Sequence, residues 1–309
     1  MHIVQSPEWG QFKTKMGTVS IRVGDVQYTK HKVPFLNNFY AYCPKVDPKV
    51  INWEDLKESL QKHDCIAINF DVPNSIKGTD EGEDAETLLK TKCKKSPKDT
   101  FAKSNVILDI SKDEEEILKG MHKKHRYNIR YAEKQGVVIE EAKTEQDFND
   151  FYSLLEETAQ RQKYYIHSKT YYKNIWEMFK DQGISHILIA RHEGVPLVAW
   201  MLFTYKGTLY YPYGASSNTG RNLMGSNLIA WEAIKLGKEN GCNTFDMWGA
   251  AIDPDNKEDP YHGFTNFKLK FGGEHVTYID SYDYVVNEAL YTLFNTANNL
   301  RWKILNFIR

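Results

Sequence analysis

Between Tyr205 and Glu274 the chain sets three unusual segments in a fixed order, and that order restricts the fold more than any bulk property does. The first, Leu209-Tyr210-Tyr211-Pro212-Tyr213-Gly214-Ala215-Ser216-Ser217, is an aromatic run ending in small residues and predicts a strand. The second, residues 222–240 with Trp231-Glu232-Ala233-Ile234-Lys235 inside it, predicts an amphipathic helix. The third starts as a strand, Phe245-Asp246-Met247-Trp248-Gly249-Ala250, and passes through an acidic loop. It then reaches Phe264-Thr265-Asn266-Phe267-Lys268-Leu269-Lys270-Phe271-Gly272-Gly273-Glu274. Strand, helix, strand and a loop delivering a Phe-Lys pair is an order by which an acyl-transfer fold presents groups to a cleft. The plainer alternative is an aromatic-rich α/β core with a surface loop.

The first half of the chain repeats the order. A short helix at 7–16 precedes β-rich runs at 18–24 and 26–30 joined at Gly24-Asp25, a hairpin signal. A strand at 38–43, a helix at 53–63 and a strand at 65–70 follow. In the second half come a helix at 171–182, strands at 184–192 and 195–205 joined at Glu193-Gly194, a strand at 208–213, the helix at 222–240 and a strand at 244–247. Helix, hairpin, strand, helix, strand occurs twice, which predicts a tandem duplication of one α/β unit. The boundary is placed where a basic helix gives way to Val137-Val138-Ile139-Glu140-Glu141. Unit 1 is then 1–141, unit 2 is 142–281, and 282–309 packs back on unit 1. Residues 79–96 are charged and poor in apolar side chains and read as a mobile excursion.

Bulk properties narrow the function classes without choosing one. A length of 309 residues suits one large domain or two ordinary ones. Net charge is −1, so any nucleic-acid contact must rest on a local basic patch. Cys43, Cys65, Cys93 and Cys242 form no CxxC pair, against a zinc site or redox motif. The start of the chain shows no charged-then-apolar leader, and no apolar run approaches the ~18 residues of a membrane span. A cytoplasmic location is therefore expected.

The segment order and the Phe267-Lys268 pair, with Phe271 three residues after the lysine, resemble the Fem family, transferases that move an amino acid from aminoacyl-tRNA onto peptidoglycan precursors. Fem proteins are two GNAT-like acyltransferase units side by side, each a mixed, mainly antiparallel sheet flanked by helices. Between 144 and 183 there is room for two ordinary helices and none for the long helical arm of some members. The resemblance thus covers nearly the whole chain and points to the shorter members. It implies a stem-peptide amine as acceptor, on UDP-MurNAc-pentapeptide or lipid II, and neither metal nor small cofactor.

Carried onto this sequence, the resemblance gives Lys13, four residues after Trp9, the task of holding the precursor's diphosphate. A lysine's compact charge suits that task, although a lysine on an amphipathic helix is commonly just solvated. Asp71, at the end of Cys65-Ile66-Ala67-Ile68-Asn69-Phe70-Asp71, matches a strand-end Asp near the attacking amine; the alternative is a loop cap. Lys268 can stabilise the oxyanion of the transferring ester or hold the tRNA 3′ phosphate, and Phe267 can stack on the terminal adenine. Spacings of three and four equally allow Phe264, Phe267 and Phe271 to pack inward. The family's second phosphate-binding Arg has no clear match: Arg161, His167 and Lys169 are the candidates, and Tyr213 of the aromatic strand joins them as substrate-facing. Lys123, Lys124, Arg126 and Arg130 lie on a basic helix with interleaved aromatics, readable as an RNA contact or as a solvated face. His122 and His125, three apart, have no HExxH context and do not read as a metal site.

A coenzyme A-dependent N-acyltransferase is the runner-up. Its pyrophosphate cradle needs glycine where Arg221-Asn222-Leu223-Met224-Gly225-Ser226 carries Met224. A non-catalytic RNA- or envelope-binding module is the third reading. At the C-terminus, residues 287–309 show an apolar stripe at spacings of three and four. There Arg301, Lys303 and Arg309 stand among Trp302, Phe307 and aliphatics. That mixture suits either a peripheral helix on an anionic leaflet or a core helix with solvated basic residues.

Overall fold

The computed structural model describes the backbone of residues 1–308 and the side chains of residues 1–298. The elements run α1 (Pro7–Lys15), β1 (Ser20–Val23), β2 (Val26–Lys32), β3 (Phe39–Pro44), α2 (Trp53–Lys62), β4 (Cys65–Asp71), α3 (Asp80–Lys92) and β5 (Lys94–Lys95). Then come β6 (Ser104–Asp109), α4 (Glu114–Gly120), α5 (Lys123–Lys134), β7 (Val137–Glu141), α6 (Glu145–Gln162), α7 (Lys169–Lys180), β8 (Ser185–His192), β9 (Val195–Tyr205) and β10 (Thr208–Ser216). The chain closes with α8 (Gly225–Glu239), β11 (Thr244–Gly249), α9 (His262–Leu269), β12 (Glu274–Thr277), β13 (Tyr282–Val285) and α10 (Glu288–Ile308). Two compact units result, one of Met1–Lys103 with Thr277–Arg309 and one of Ser104–Val276.

Unit 1 is built on a sheet in the order β1-β2-β3-β4-β13-β5. Only β3 and β4 run parallel, joined by the α2 crossover; the other pairs are antiparallel. Every residue of β4 is buried, as a central strand covered on both faces requires. Leu56 and Leu60 of α2 and Ala85 and Leu89 of α3 join Ile68 and Phe70 in one core. Unit 2 repeats the plan in the order β12-β6-β11-β10-β9-β8-β7. Here β10 and β11 are the parallel pair, joined by α8. Its core runs from Val106 and Leu108 on β6 through Trp200, Tyr211 and Phe245 to Ile229 and Ile234 of α8. Each such large apolar side chain contributes about 1.5–3 kcal/mol by leaving water.

The doubled order α1-β1-β2-β3-α2-β4 and α7-β8-β9-β10-α8-β11 matches the sequence reading, and the connection between 144 and 183 holds two ordinary helices. Two expectations are corrected. The division between units falls at 103/104 and 276/277 rather than at 141/142 and 281/282. The cause is β6, whose Asp109, Leu108 and Ile107 pair with Thr244, Phe245 and Asp246 of β11, committing 104–141 to unit 2. Residues 79–96 are no loose excursion. Thr79 caps α3 by accepting from the Gly82 amide, and Ala85 and Leu89 are fully buried. The high charge density hid an apolar pair at helical spacing.

No helix among the described residues is long and apolar enough to cross a membrane. The side chains of residues 300–309, on which the membrane-contact reading rests, lie outside the described residues.

Candidate active site

In unit 2 the parallel pair is hydrogen-bonded only from Thr208/Thr244 to Tyr210/Asp246. Beyond that point both strands shift register against their outer neighbours, β10 between Tyr210 and Tyr213, β11 between Asp246 and Gly249. A bulge bends its strand and ends regular pairing. In unit 1 the equivalent pair shifts register at its start, between Phe39 and Tyr40, and then stays registered from Tyr40/Ala67 to Pro44/Asp71 at its far end.

Lys268 of α9 stands at the exit of β11. It is fully buried, and its Nζ donates to the carbonyls of Trp248 (3.1 Å) and Gly249 (2.6 Å). The Phe264 ring, one helical turn earlier and 40% exposed, lies with its centroid 3.8 Å from Nζ. Burial pulls the ammonium pKa from 10.5 to about 7, against the opposing pull of the Asp246 carboxylate. Thr265 ties the same helix to the strand exit, its Oγ1 accepting from the Ala251 amide at 2.8 Å.

Phe267 faces the other way. Its ring packs 5.3 Å from His125 and 5.2 Å from Phe271, and its carbonyl is 3.1 Å from His125 Nε2. It packs at the rim of the core and is half-buried, and Phe264 is the more exposed ring beside the lysine. The i, i+3 spacing permitted both readings, and the helix's orientation chose between them.

Asp71 closes unit 1's parallel pair. Fully buried, it accepts from the amides of Thr100 (2.9 Å) and Phe101 (2.8 Å), from Ser281 Oγ (3.0 Å) and from Tyr42 Oη (2.5 Å). With four donors on two oxygens the carboxylate organises loops and is not presented as a base, which corrects its placement among catalytic groups. Lys13 is half-buried on α1, and burial lowers its ammonium pKa. Its charge lowers the imidazole pKa of His31, although burial does so more. Trp9 packs edge-on to Phe12 at 5.6 Å on the same helix.

The second phosphate-binding position divides as follows. Arg161 is committed to the end of β10, donating to Ser216 O (3.0 Å), Ser216 Oγ (3.0 Å) and Asn218 Oδ1 (2.7 Å). His167 is exposed and stacks on Tyr171 at 3.9 Å, while Lys169 is exposed with Nζ 5.8 Å from the Tyr152 ring. Tyr213 meets Tyr172 edge-on at 5.0 Å, and burial raises its phenol pKa. On α5, Lys123, Lys124 and Arg130 are exposed, whereas Arg126 donates to the carbonyls of Leu118, Lys119 and Met121 and so closes α4. The guanidinium of Arg126 is thus engaged within the fold, against the expectation of an RNA contact. Among the described residues no cluster of three His, Cys, Asp or Glu is placed to hold a metal.

Sequence reasoning passed over Asp246 and Asn105. The buried Asn105 amide donates to both Asp246 oxygens at 2.8 and 3.0 Å, and Asp246 Oδ1 accepts from the Trp248 amide at 2.7 Å. A carboxylate between Phe245 and Met247 in a predicted core strand was the available signal, since charged residues are rarely buried without a task.

The FemAB family model matches residues 91–193 and 186–299. A lipid II:glycine glycyltransferase of Staphylococcus aureus (strain USA300) is 23% identical, with 94% of this chain and 90% of the relative covered. The enzyme of the same name from Staphylococcus haemolyticus (strain JCSC1435) is also 23% identical, over 61% of this chain and 60% of its own length. A crystal structure of FemX superimposes with a TM-score of 0.85 at 21% identity, covering 94% of each chain. The chain belongs to the FemAB family and is an aminoacyltransferase.

Proposed function

We propose that this chain transfers an amino acid from aminoacyl-tRNA to the stem-peptide amine of a peptidoglycan precursor, building an interpeptide bridge. The observation that carries the reading is Lys268, buried where the β10/β11 pair stops pairing and held near pKa 7. In the reaction the acceptor nitrogen forms a bond to the ester carbonyl carbon, the carbonyl oxygen takes the negative charge, and the ester C–O bond then breaks. One proton leaves the nitrogen and one reaches the departing ribose oxygen. In its ammonium form the lysine, with two N–H groups on fixed carbonyls, retains one donor for the oxyanion, and a cation fixed beside developing charge lowers the barrier. On this reading Lys13 holds the acceptor's diphosphate and the exposed basic residues of α5 meet RNA phosphates.

The coenzyme A reading is disfavoured by the turn before α8. There Met224 adopts φ +57, a left-handed conformation that favours glycine, directly after a 3₁₀ turn at Arg221–Leu223. Its Cβ and long side chain stand where a pyrophosphate cradle needs bare backbone. The test is incubation of the purified protein with charged tRNAs and either UDP-linked or lipid-linked pentapeptide, read by mass spectrometry. A gain of one amino acid residue on the pentapeptide supports the proposal; no gain with either acceptor, together with acyl transfer from an acyl-coenzyme A, overturns it.

A further inference from the structure

Lys268 is held by two consecutive main-chain carbonyls, an arrangement that regular β-structure does not offer, because successive carbonyls of a strand point in opposite directions. Strand β11 reaches it by a local distortion. Between Asp246, opposite Ile107, and Gly249, opposite Asn105, β11 advances three residues while β6 advances two. The extra residue is a bulge, and within it Trp248 has φ +63, a left-handed value that a tryptophan adopts only when its surroundings impose it.

The imposing contacts come from Asp246 and Asn105. Asp246 Oδ1 accepts from the Trp248 amide two residues along at 2.7 Å, closing an Asx-type turn. Asn105 on β6 grips both carboxylate oxygens and fixes the side chain's rotamer. Asp246 and Asn105 are 3% and 0% exposed. We propose that Asp246, held by Asn105, is the positioning residue of the site, turning the Trp248 and Gly249 carbonyls onto Lys268 and bringing its own negative charge to that end of β11. Its role in transfer rests on the proposed function above; its hold on Lys268 does not.

The electrostatics agree with this geometry. The Asp246 carboxylate accepts from the Trp248 amide and from Asn105. Its charge still acts through the low-dielectric interior and opposes the larger effect of burial. Around Nζ the other groups are the Phe264 ring of α9 and the Tyr211 ring of β10, whose centroid is 5.9 Å away. His262 of α9 is turned to Pro254 O and Asn266, His275 of β12 to Ala251 O, and His125 of α5 to Phe267.

The test uses the full chain with lysine side chains labelled by ¹⁵N, the Lys268 resonance assigned with Lys268→Arg, and its titration followed by NMR. Asp246→Asn preserves shape and one acceptor oxygen while removing the charge. Its Lys268 midpoint falls by about one unit, and the pH profile of amino-acid transfer shifts down with it. Asn105→Ala keeps the charge but frees the carboxylate; turnover falls at unchanged acceptor KM while the midpoint moves less than in Asp246→Asn. Circular dichroism melts identify a variant that has not folded, and Asp246→Glu, which restores charge with altered reach, then replaces it and is read for a midpoint closer to wild type. An unchanged midpoint in a folded Asp246→Asn overturns the proposal. If the wild type transfers no amino acid to either acceptor, the functional reading fails while the NMR titration still decides the hold on Lys268.

Discussion

Replacing Lys268 with methionine tests the central electrostatic claim through stability alone. The buried ammonium has its pKa lowered from 10.5 to about 7, so folding disfavours its charged form by roughly 5 kcal/mol at 1.36 kcal/mol per unit. The sign follows from proton counting. Below about pH 7 the lysine is charged in both states and the folded protein bears the whole penalty. As pH rises toward 10.5, the unfolded chain binds the extra proton, so stability rises with pH until the penalty is gone. Methionine has similar length and no charge, and therefore no such slope. Its unpartnered Trp248 and Gly249 carbonyls cost about 1–3 kcal/mol each, an offset that does not vary with pH. Groups other than Lys268 titrate alike in the two proteins and cancel. Urea unfolding of both, followed by circular dichroism, should show the wild type gaining about 2 kcal/mol on Lys268→Met between about pH 7 and pH 9. A difference that stays constant across that range would refute the claim that Lys268 titrates near neutrality.

Lys268→Ala is expected to lower turnover by ~10²–10³ with acceptor KM little changed, as for loss of one oxyanion donor; steady-state kinetics that show near-normal turnover remove Lys268 from the mechanism. Lys13→Ala is expected to do the reverse, weakening the acceptor while turnover at saturation is kept, and unchanged acceptor affinity refutes the diphosphate assignment. Asp71→Ala strips the partner from two amides and two hydroxyls and should cost about 3 kcal/mol or more. Thermal melts and the turnover of the folded fraction separate this structural role from a basic one, which would abolish turnover instead. Phe264→Ala admits water to Nζ, so the Lys268 titration midpoint moves up by about one unit; an unmoved midpoint means the ring does not shield it.

Much of the architecture was legible because its signals are local. Continuous apolar runs such as β8 and β9, the Glu193-Gly194 turn between them and the α8 amphipathic pattern each fix an element without reference to the rest. What stayed hidden depends on distant partners. Nothing in Ser104-Asn105-Val106-Ile107-Leu108-Asp109 announces that it pairs with β11 rather than with a strand of unit 1. The same holds within the site. Lys268 was found by its neighbours in sequence, but its carbonyl partners sit 19 and 20 residues away. Asp246 shows in the sequence only as a charge within a core strand, and its place in the site depends on Asn105, which β6 brings to it. Phe264 and Phe267 are equivalent in spacing, and only the packing of His125 against Phe267 and Phe271 separates them.

The placement of β13 has a consequence for how the chain comes off the ribosome. Strand β4 is flanked by β3 on one edge and β13 on the other, with Phe70 opposite Tyr282. All of Ser104–Val276 is translated between them. At ~5–20 residues per second the nascent chain carries β4 with that edge open for roughly 10–40 s, and an open edge is a template for pairing with another chain. Ser281, a donor to Asp71, arrives equally late. Unit 2 is one uninterrupted segment and holds all its own strands by the time its last residue emerges. The unit begun first is thus the unit completed last, and its protection from mispairing during synthesis depends on how fast the other one is made.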